Sequence, residues 1–135
     1  NEIVNEKGTE YARNLVKPLL ELPVMLEIIH QGRKYGFVHA SLNGFKDWEL
    51  AKSEFAKIGK FDRDEHPAFW DRWDIADAKN ILAGTPREGV HFDIANVDHV
   101  YFGHTPIKEV MTVGNCTWLD TGAFATRKLT VLEVK

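Results

Sequence analysis

Six histidines, at positions 30, 39, 66, 91, 99 and 104, carry most of the acid–base and metal-binding potential of this chain. No two stand in the H-x-x-x-H spacing that puts ligands on one helix face, and none lies near Cys116 in zinc-finger spacing, so no local metal site is written in the sequence. His39 and His104 differ from the other four. Each closes an apolar, strand-like run (Tyr35-Gly36-Phe37-Val38 and Val100-Tyr101-Phe102-Gly103), and each is followed by small residues. Loops at strand ends are where α/β folds place ligand sites. On position alone, either imidazole is also consistent with partial burial and a backbone hydrogen bond. Two imidazoles do not make a catalytic metal centre, which takes at least three protein ligands and keeps a position open for water. Arg72, within Phe69-Trp70-Asp71-Arg72-Trp73-Asp74, offers a planar fork that matches two phosphate oxygens and stays charged at any working pH; spacing alone equally allows an ion pair with Asp71 or Asp74. Asp120 could accept a hydrogen bond from an imidazole and orient it, or cap the Thr121-Gly122 turn. Cys116, just before an expected strand, reads as a packed thiol rather than a nucleophile, and Arg63, Arg87 and Arg127 as solvated.

Val100-Tyr101-Phe102-Gly103-His104-Thr105-Pro106, followed by Trp118-Leu119-Asp120-Thr121-Gly122-Ala123-Phe124, resembles the closing signature of the serine/threonine phosphatase branch of the binuclear, calcineurin-like metallophosphoesterases, especially its bacterial and bacteriophage lambda-type members. The resemblance runs from about Leu15 to Val134, with Glu21-Leu22-Pro23, a strand ending in His39-Ala40, Trp70-Asp71-Arg72, G-H-T-P and D-T-G-A in the family's order. It implies that His39 and His104 bind one metal of a pair, that Arg72 holds the substrate phosphate, and that Asp120 sits in a largely structural last motif. Ser41 departs from the Gly or Asp usual after His-Ala, which bears on the local turn rather than on ligation. The family's motifs G-D-x-H-G, G-D-x-x-D-R-G and G-N-H-E occur nowhere in the 135 residues. The resemblance therefore implies that residues 1–135 form the C-terminal portion of such a domain, inactive alone; Asn1 in place of Met agrees with truncation. For the intact protein it implies two divalent metals about 3.5–4 Å apart, commonly manganese, with iron or zinc as alternatives, that hold a hydroxide and the substrate phosphate. The implied substrates are phosphomonoesters, including phosphoserine and phosphothreonine in proteins. A nucleotide hydrolase of the diadenosine tetraphosphatase type has similar last motifs, and a non-catalytic binding module that has lost the metal centre is the reading from another class. The implied fold is α/β, half of a β-sandwich of two mixed sheets flanked by helices. Such a half would expose an apolar sheet face, so the missing N-terminal half or a second copy of the chain is an expected partner.

The elements that must position these groups follow from patterning. With 44% hydrophobic and 27% charged residues the chain can bury one core, and at net charge −3, with scattered Lys and Arg, no basic stripe supports a nucleic-acid partner. No apolar run can span a bilayer and no signal-peptide pattern is present, so a cytoplasmic location without a membrane partner is expected, and the single cysteine allows no intrachain disulfide. Tyr11, Leu15, Leu19 and Leu22 predict a helix over the first 22 residues, broken near Pro18. Residues 24–30 and 35–40 predict two strands joined by a tight turn at 31–34. Trp48, Ala51, Phe55 and Ile58 predict a helix over 47–57, capped by Asp47 and terminated by Gly59. Residues 60–97 are expected to be mostly irregular with a short helix over 75–82, and strands are predicted at 100–103, 117–120 and 129–134. The four tryptophans read as core or pocket wall.

Overall fold

The structure, a computed structural model, describes residues 8, 10–11, 14–19, 21–59 and 66–134. Its fold is α/β. Five strands, β1 (Met25–His30), β2 (Arg33–Val38), β3 (His99–Phe102), β4 (Met111–Val113) and β5 (Cys116–Trp118), form one mixed sheet in the order β1-β2-β3-β5-β4. The two outer pairs are antiparallel, whereas β2, β3 and β5 run parallel side by side. Around them lie α1, which includes residues 14–19, then α2 (Trp48–Phe55), α3 (Pro67–Trp70), α4 (Trp73–Leu82) and α5 (Ala123–Thr126).

Strand register sorts the side chains onto two faces, because successive residues of a strand point to opposite sides. One face carries the cross-strand rows Met25-Val38-Phe102-Trp118-Met111 and Glu27-Gly36-Val100-Cys116-Val113. These rows meet Trp48, Ala51 and Phe55 of α2, Ile75 and Ala78 of α4, and Phe92 and Ile94 of the connecting segment, forming the buried core. The helical spacing of Trp48, Ala51 and Phe55 is thus the spacing of core contacts. The other face carries Leu26-Phe37-Tyr101-Thr117-Thr112, with Phe37 and Tyr101 stacked at 5.2 Å.

The hairpin matches the expectation, tightened to a two-residue turn in which Gln31 and Gly32 both have positive φ, 51° and 77°, the primed geometry that suits strand twist. Asp47 caps α2 as expected, its Oδ1 accepting from Leu50 N at 2.9 Å; the helix ends at Phe55, however, with Ala56 rather than Gly59 as its C-cap. The break expected near Pro18 is absent: residues 14–19 are helical through Lys17 and Pro18, and the chain leaves the helix afterwards through turns from Glu21 N to Pro18 O and Leu22 N to Leu19 O. The expected helix over 75–82 starts earlier, at Trp73, and α3 is an element that patterning does not signal; it begins on a proline at its first position, where the lost N–H has no helical partner to lose. The predicted strand over 129–134 is not formed. Leu129 and Val131 stand 79% and 81% exposed, and among the described residues no strand edge pairs with the segment, so its alternation has nothing to bury against. The short β4, which pairs with β5 across Gly114-Asn115, is the strand that patterning missed. Arg63 and most of the charged 61–66 segment lie outside the described residues.

Candidate functional site

Parallel pairing aligns the C-terminal ends of β2, β3 and β5, with Val38 opposite Phe102 and Phe102 opposite Trp118. The residues that follow emerge at one edge, so His39, His104 and Asp120, remote in sequence, leave the sheet from three adjacent strands. Gly103 N donates to His39 O at 2.9 Å and extends the ladder by one step. Immediately beyond, Thr105 N bonds to Gly103 O at 2.8 Å around His104, whose φ is +67°. That is a γ-type reversal at a non-glycine residue, a geometry that is uncommon and strained. It turns the His104 ring back towards β2. His39 Nε2 and His104 Nδ1 lie 3.0 Å apart, with ring centroids at 4.9 Å.

The aromatic segment of α3 forms the wall of this pair. Trp70 meets the His104 ring edge-on at 5.5 Å, and Phe69 lies 6.4 Å from His39. His39 is solvent-exposed at its outer side, while Nε2 of His104 is buried with no hydrogen-bond partner among the described residues. Desolvation by this wall and the neighbouring His104 lower the pKa of His39, against the opposing pull of Asp120. His39 is thus biased towards neutral imidazole, the form that can ligate a metal. Beside His39 an open groove of about 320 Å³ runs along the sheet, lined by Leu26, Phe37, Phe69, Tyr101 and Leu119 among others.

Two nitrogens that share one metal at the usual imidazole distance of about 2.0–2.1 Å lie about 2.8–3.4 Å apart for ligand angles between a right angle and the tetrahedral angle. The observed 3.0 Å fits that requirement, and also fits a hydrogen bond between a protonated and an unprotonated ring nitrogen. The donor set is partial: among the described residues no group of three or more His, Cys, Asp or Glu could hold a metal ion. His39 and His104 are brought together; the other four histidines are not part of this cluster. His66 caps α3 through Nδ1, which accepts from Ala68 N at 3.1 Å, and His99 Nε2 bonds Thr117 Oγ1 at 2.8 Å on the sheet face that carries Phe37 and Tyr101.

Arg72 is the exposed N-cap residue of α4, two positions from Trp70. Neither carboxylate that spacing offered it is engaged with it: Asp71 accepts from Trp73 N at 3.0 Å, and Asp74 is turned inward. Among the described residues Arg72 has no ion pair. Asp120 uses Oδ1 to accept from Gly122 N at 2.8 Å, which is the turn-capping role, and acts on His39 only through its charge. Cys116 is fully buried and its thiol is pushed up to about 12 by burial, as fits a packing residue. Arg87, expected to be merely solvated, grips Asp77 through both Nε, at 2.7 Å, and Nη2. The tryptophans divide: Trp48 and Trp118 are core, whereas Trp70 and Trp73 are 59% and 71% exposed, on either side of Arg72.

Sequence reasoning named Ser41 and Asp74 separately but did not pair them. Ser41 is fully buried, and its Oγ donates to Asp74 Oδ2 at 2.6 Å while accepting from Asn43 N at 2.8 Å. A pair 33 residues apart leaves no local signal; the unusual Ser after His-Ala was the nearest thing to one. No protein-family model matches the chain.

Proposed function

We propose that this chain is the C-terminal part of a metal-dependent phosphomonoesterase related to the serine/threonine phosphatase branch of the metallophosphoesterases. The observation that carries the reading is the 3.0 Å approach of His39 Nε2 and His104 Nδ1, from residues 65 apart, at the C-terminal edge of adjacent parallel strands. In this reading the two imidazoles hold one edge of a metal's coordination shell. Polypeptide outside these 135 residues supplies the carboxylate ligands and the acid that protonates the leaving group. Metals bound there, manganese by preference, would supply hydroxide at neutral pH by lowering the pKa of water towards about 7, with His39 and His104 among the residues that would hold them. Arg72, exposed and without an ion pair among the described residues, receives two phosphoryl oxygens on its planar fork and balances the charge that builds on them. Trp70 holds His104 from one side and excludes water from its ring.

The exposed indoles of Trp70 and Trp73 on either side of Arg72 favour a second reading of the substrate, a nucleotide whose base stacks there, as in a diadenosine tetraphosphatase-type hydrolase. Substrate profiling of the intact protein separates the two.

The test is manganese-dependent hydrolysis of p-nitrophenyl phosphate. The 135-residue chain alone is expected to show no turnover. The intact protein is expected to show turnover that His104→Ala lowers at least a hundredfold, because it removes a metal ligand, and Arg72→Ala by a comparable factor, because it removes the cation that balances charge on the phosphoryl oxygens. An intact protein without metal-dependent phosphatase activity would overturn the proposal. Turnover by the chain alone, abolished in His104→Ala, would overturn the partial-site account.

A further inference from the structure

Asp74 stands one step into α4, two residues beyond Arg72, and only 9% of it is exposed. A buried carboxylate is costly unless its oxygens are used. Here Oδ2 accepts from Ser41 Oγ at 2.6 Å and from Leu42 N at 3.1 Å, both in the loop that leaves β2 directly after His39. Burial raises the pKa of Asp74, while these two hydrogen bonds oppose that rise. The same loop has a second anchor, Ala40 N to Ala68 O at 2.8 Å, on α3. Beyond it the chain reverses through Asn43 and Gly44, both at positive φ, 53° and 79°. The His39 ring itself meets only His104 and Phe69 among the ring and hydrogen-bond contacts of the site, so its direction is inherited from the loop.

We propose that Asp74 is a positioning residue: by holding Ser41 and Leu42 against the start of α4, it fixes the His39 imidazole relative to both His104 and Arg72. The proposal rests on the metal-site reading above for its consequence, and on geometry alone for its content. An apolar residue at 74 would fill the space yet leave Leu42 N and Ser41 Oγ buried without an acceptor, and the loop would then be free to re-orient towards water. Asn can still accept from both donors through its amide oxygen, so Asp74→Asn separates the hydrogen-bond role from the negative charge.

Ring-nitrogen NMR of the chain labelled with 15N-histidine, with thermal unfolding in parallel, tests this directly. In the parent, the His39 and His104 rings are expected to show mutual proximity, and added Mn2+ should broaden both rings selectively. Asp74→Ala is expected to separate the two rings and to need at least tenfold more Mn2+ for the same broadening, and Asp74→Asn to retain both properties. A folded Asp74→Ala chain whose rings still adjoin would overturn the proposal, as would a parent whose rings do not touch. Should Asp74→Ala fail to fold, Ser41→Ala decides: a folded variant with separated rings supports the proposal, and one with adjoining rings overturns it. Ring separation in Asp74→Ala, together with a parent that ignores Mn2+, would leave the positioning role standing and sink the metal reading alone.

Discussion

At the scale of the residue, His104 is held in a conformation that its own backbone disfavours, with φ at +67° in a γ-type reversal. Such a conformation costs on the order of 1–3 kcal/mol at a non-glycine residue. A residue kept there despite the strain should be dispensable for folding, so His104→Gly, which relieves the strain and removes the ring, is expected to unfold within about 1 kcal/mol of the parent while losing Mn2+ broadening of His39. A loss of several kcal/mol in denaturant titration would show instead that the imidazole is a structural group. Histidine chemistry also contributes to the pH dependence of the fold. Burial is the main cause that lowers the pKa values of His66 and His99 from 6.5, and the Arg33 charge adds to it at His99. Below 6.5 the unfolded chain therefore binds more protons than the folded one, so stability is fully present above that pH and declines as pH falls through the lowered values. His99→Gln, which can keep a hydrogen bond to Thr117, should flatten part of that slope; an unchanged slope in chemical denaturation between about pH 7 and 5 would remove His99 from the account. His39 and His104 were legible because each closes an apolar run. The fate of Arg72 was legible only as a choice, since nothing local to the sequence shows that Asp71 is spent on Trp73 N and Asp74 on Ser41 and Leu42.

At the scale of the element, the hairpin and α2 were legible because their signals are local: a positive-φ turn pair between two runs, and an Asp cap ahead of apolar residues at helical spacing. Their docking was not. The indole of Trp48 lies over Gly36 so closely that a Cβ there would sit 2.4 Å from Trp48 Cη2, and its Nε1 reaches Glu27 at 2.6 Å on β1. Gly36 is thus the gap in β2 through which α2 seats on the sheet. Gly36→Ala is expected to cost about 1–3 kcal/mol through overpacking, in contrast to the small gain that Gly→Ala gives where space is open. Asp47→Ala, which removes the cap and the bond from Asn96 Nδ2 at 2.6 Å, should cost about 1 kcal/mol. Urea unfolding of both variants checks the order: Gly36→Ala no worse than Asp47→Ala would mean that the Trp48 ring slides aside. The C-terminal strand failed as an expectation for a reason of the same kind. Alternation over 129–134 reports a β preference, yet a strand also needs a neighbouring edge, and β1 and β4, which end the sheet, do not pair with it.

At the scale of the whole molecule, the sheet has one well-covered face and one that is less so. The helices and the connecting segment close over Val38, Val100, Phe102 and Trp118, each no more than 6% exposed. On the opposite face Leu26 and Ile28 stand 48% and 44% exposed beside the stacked Phe37 and Tyr101, and Val134 of the C-terminal segment shares a small cavity with Ile28, Tyr35 and Phe37. The groove beside His39 continues along this same face, so the exposed apolar surface and the histidine pair adjoin each other. A partner that covers Leu26 and Phe37 would stand beside the histidine pair, whereas one that covers only the outer edge of β1 would leave the pair unchanged. The chain on its own is accordingly expected to self-associate, with sedimentation coefficients that rise with concentration and with binding of an apolar dye, and Leu26→Lys with Ile28→Lys should weaken both. A monodisperse monomer that binds no dye would show this face to be sufficient as it stands, and the completing surface would have to be sought elsewhere.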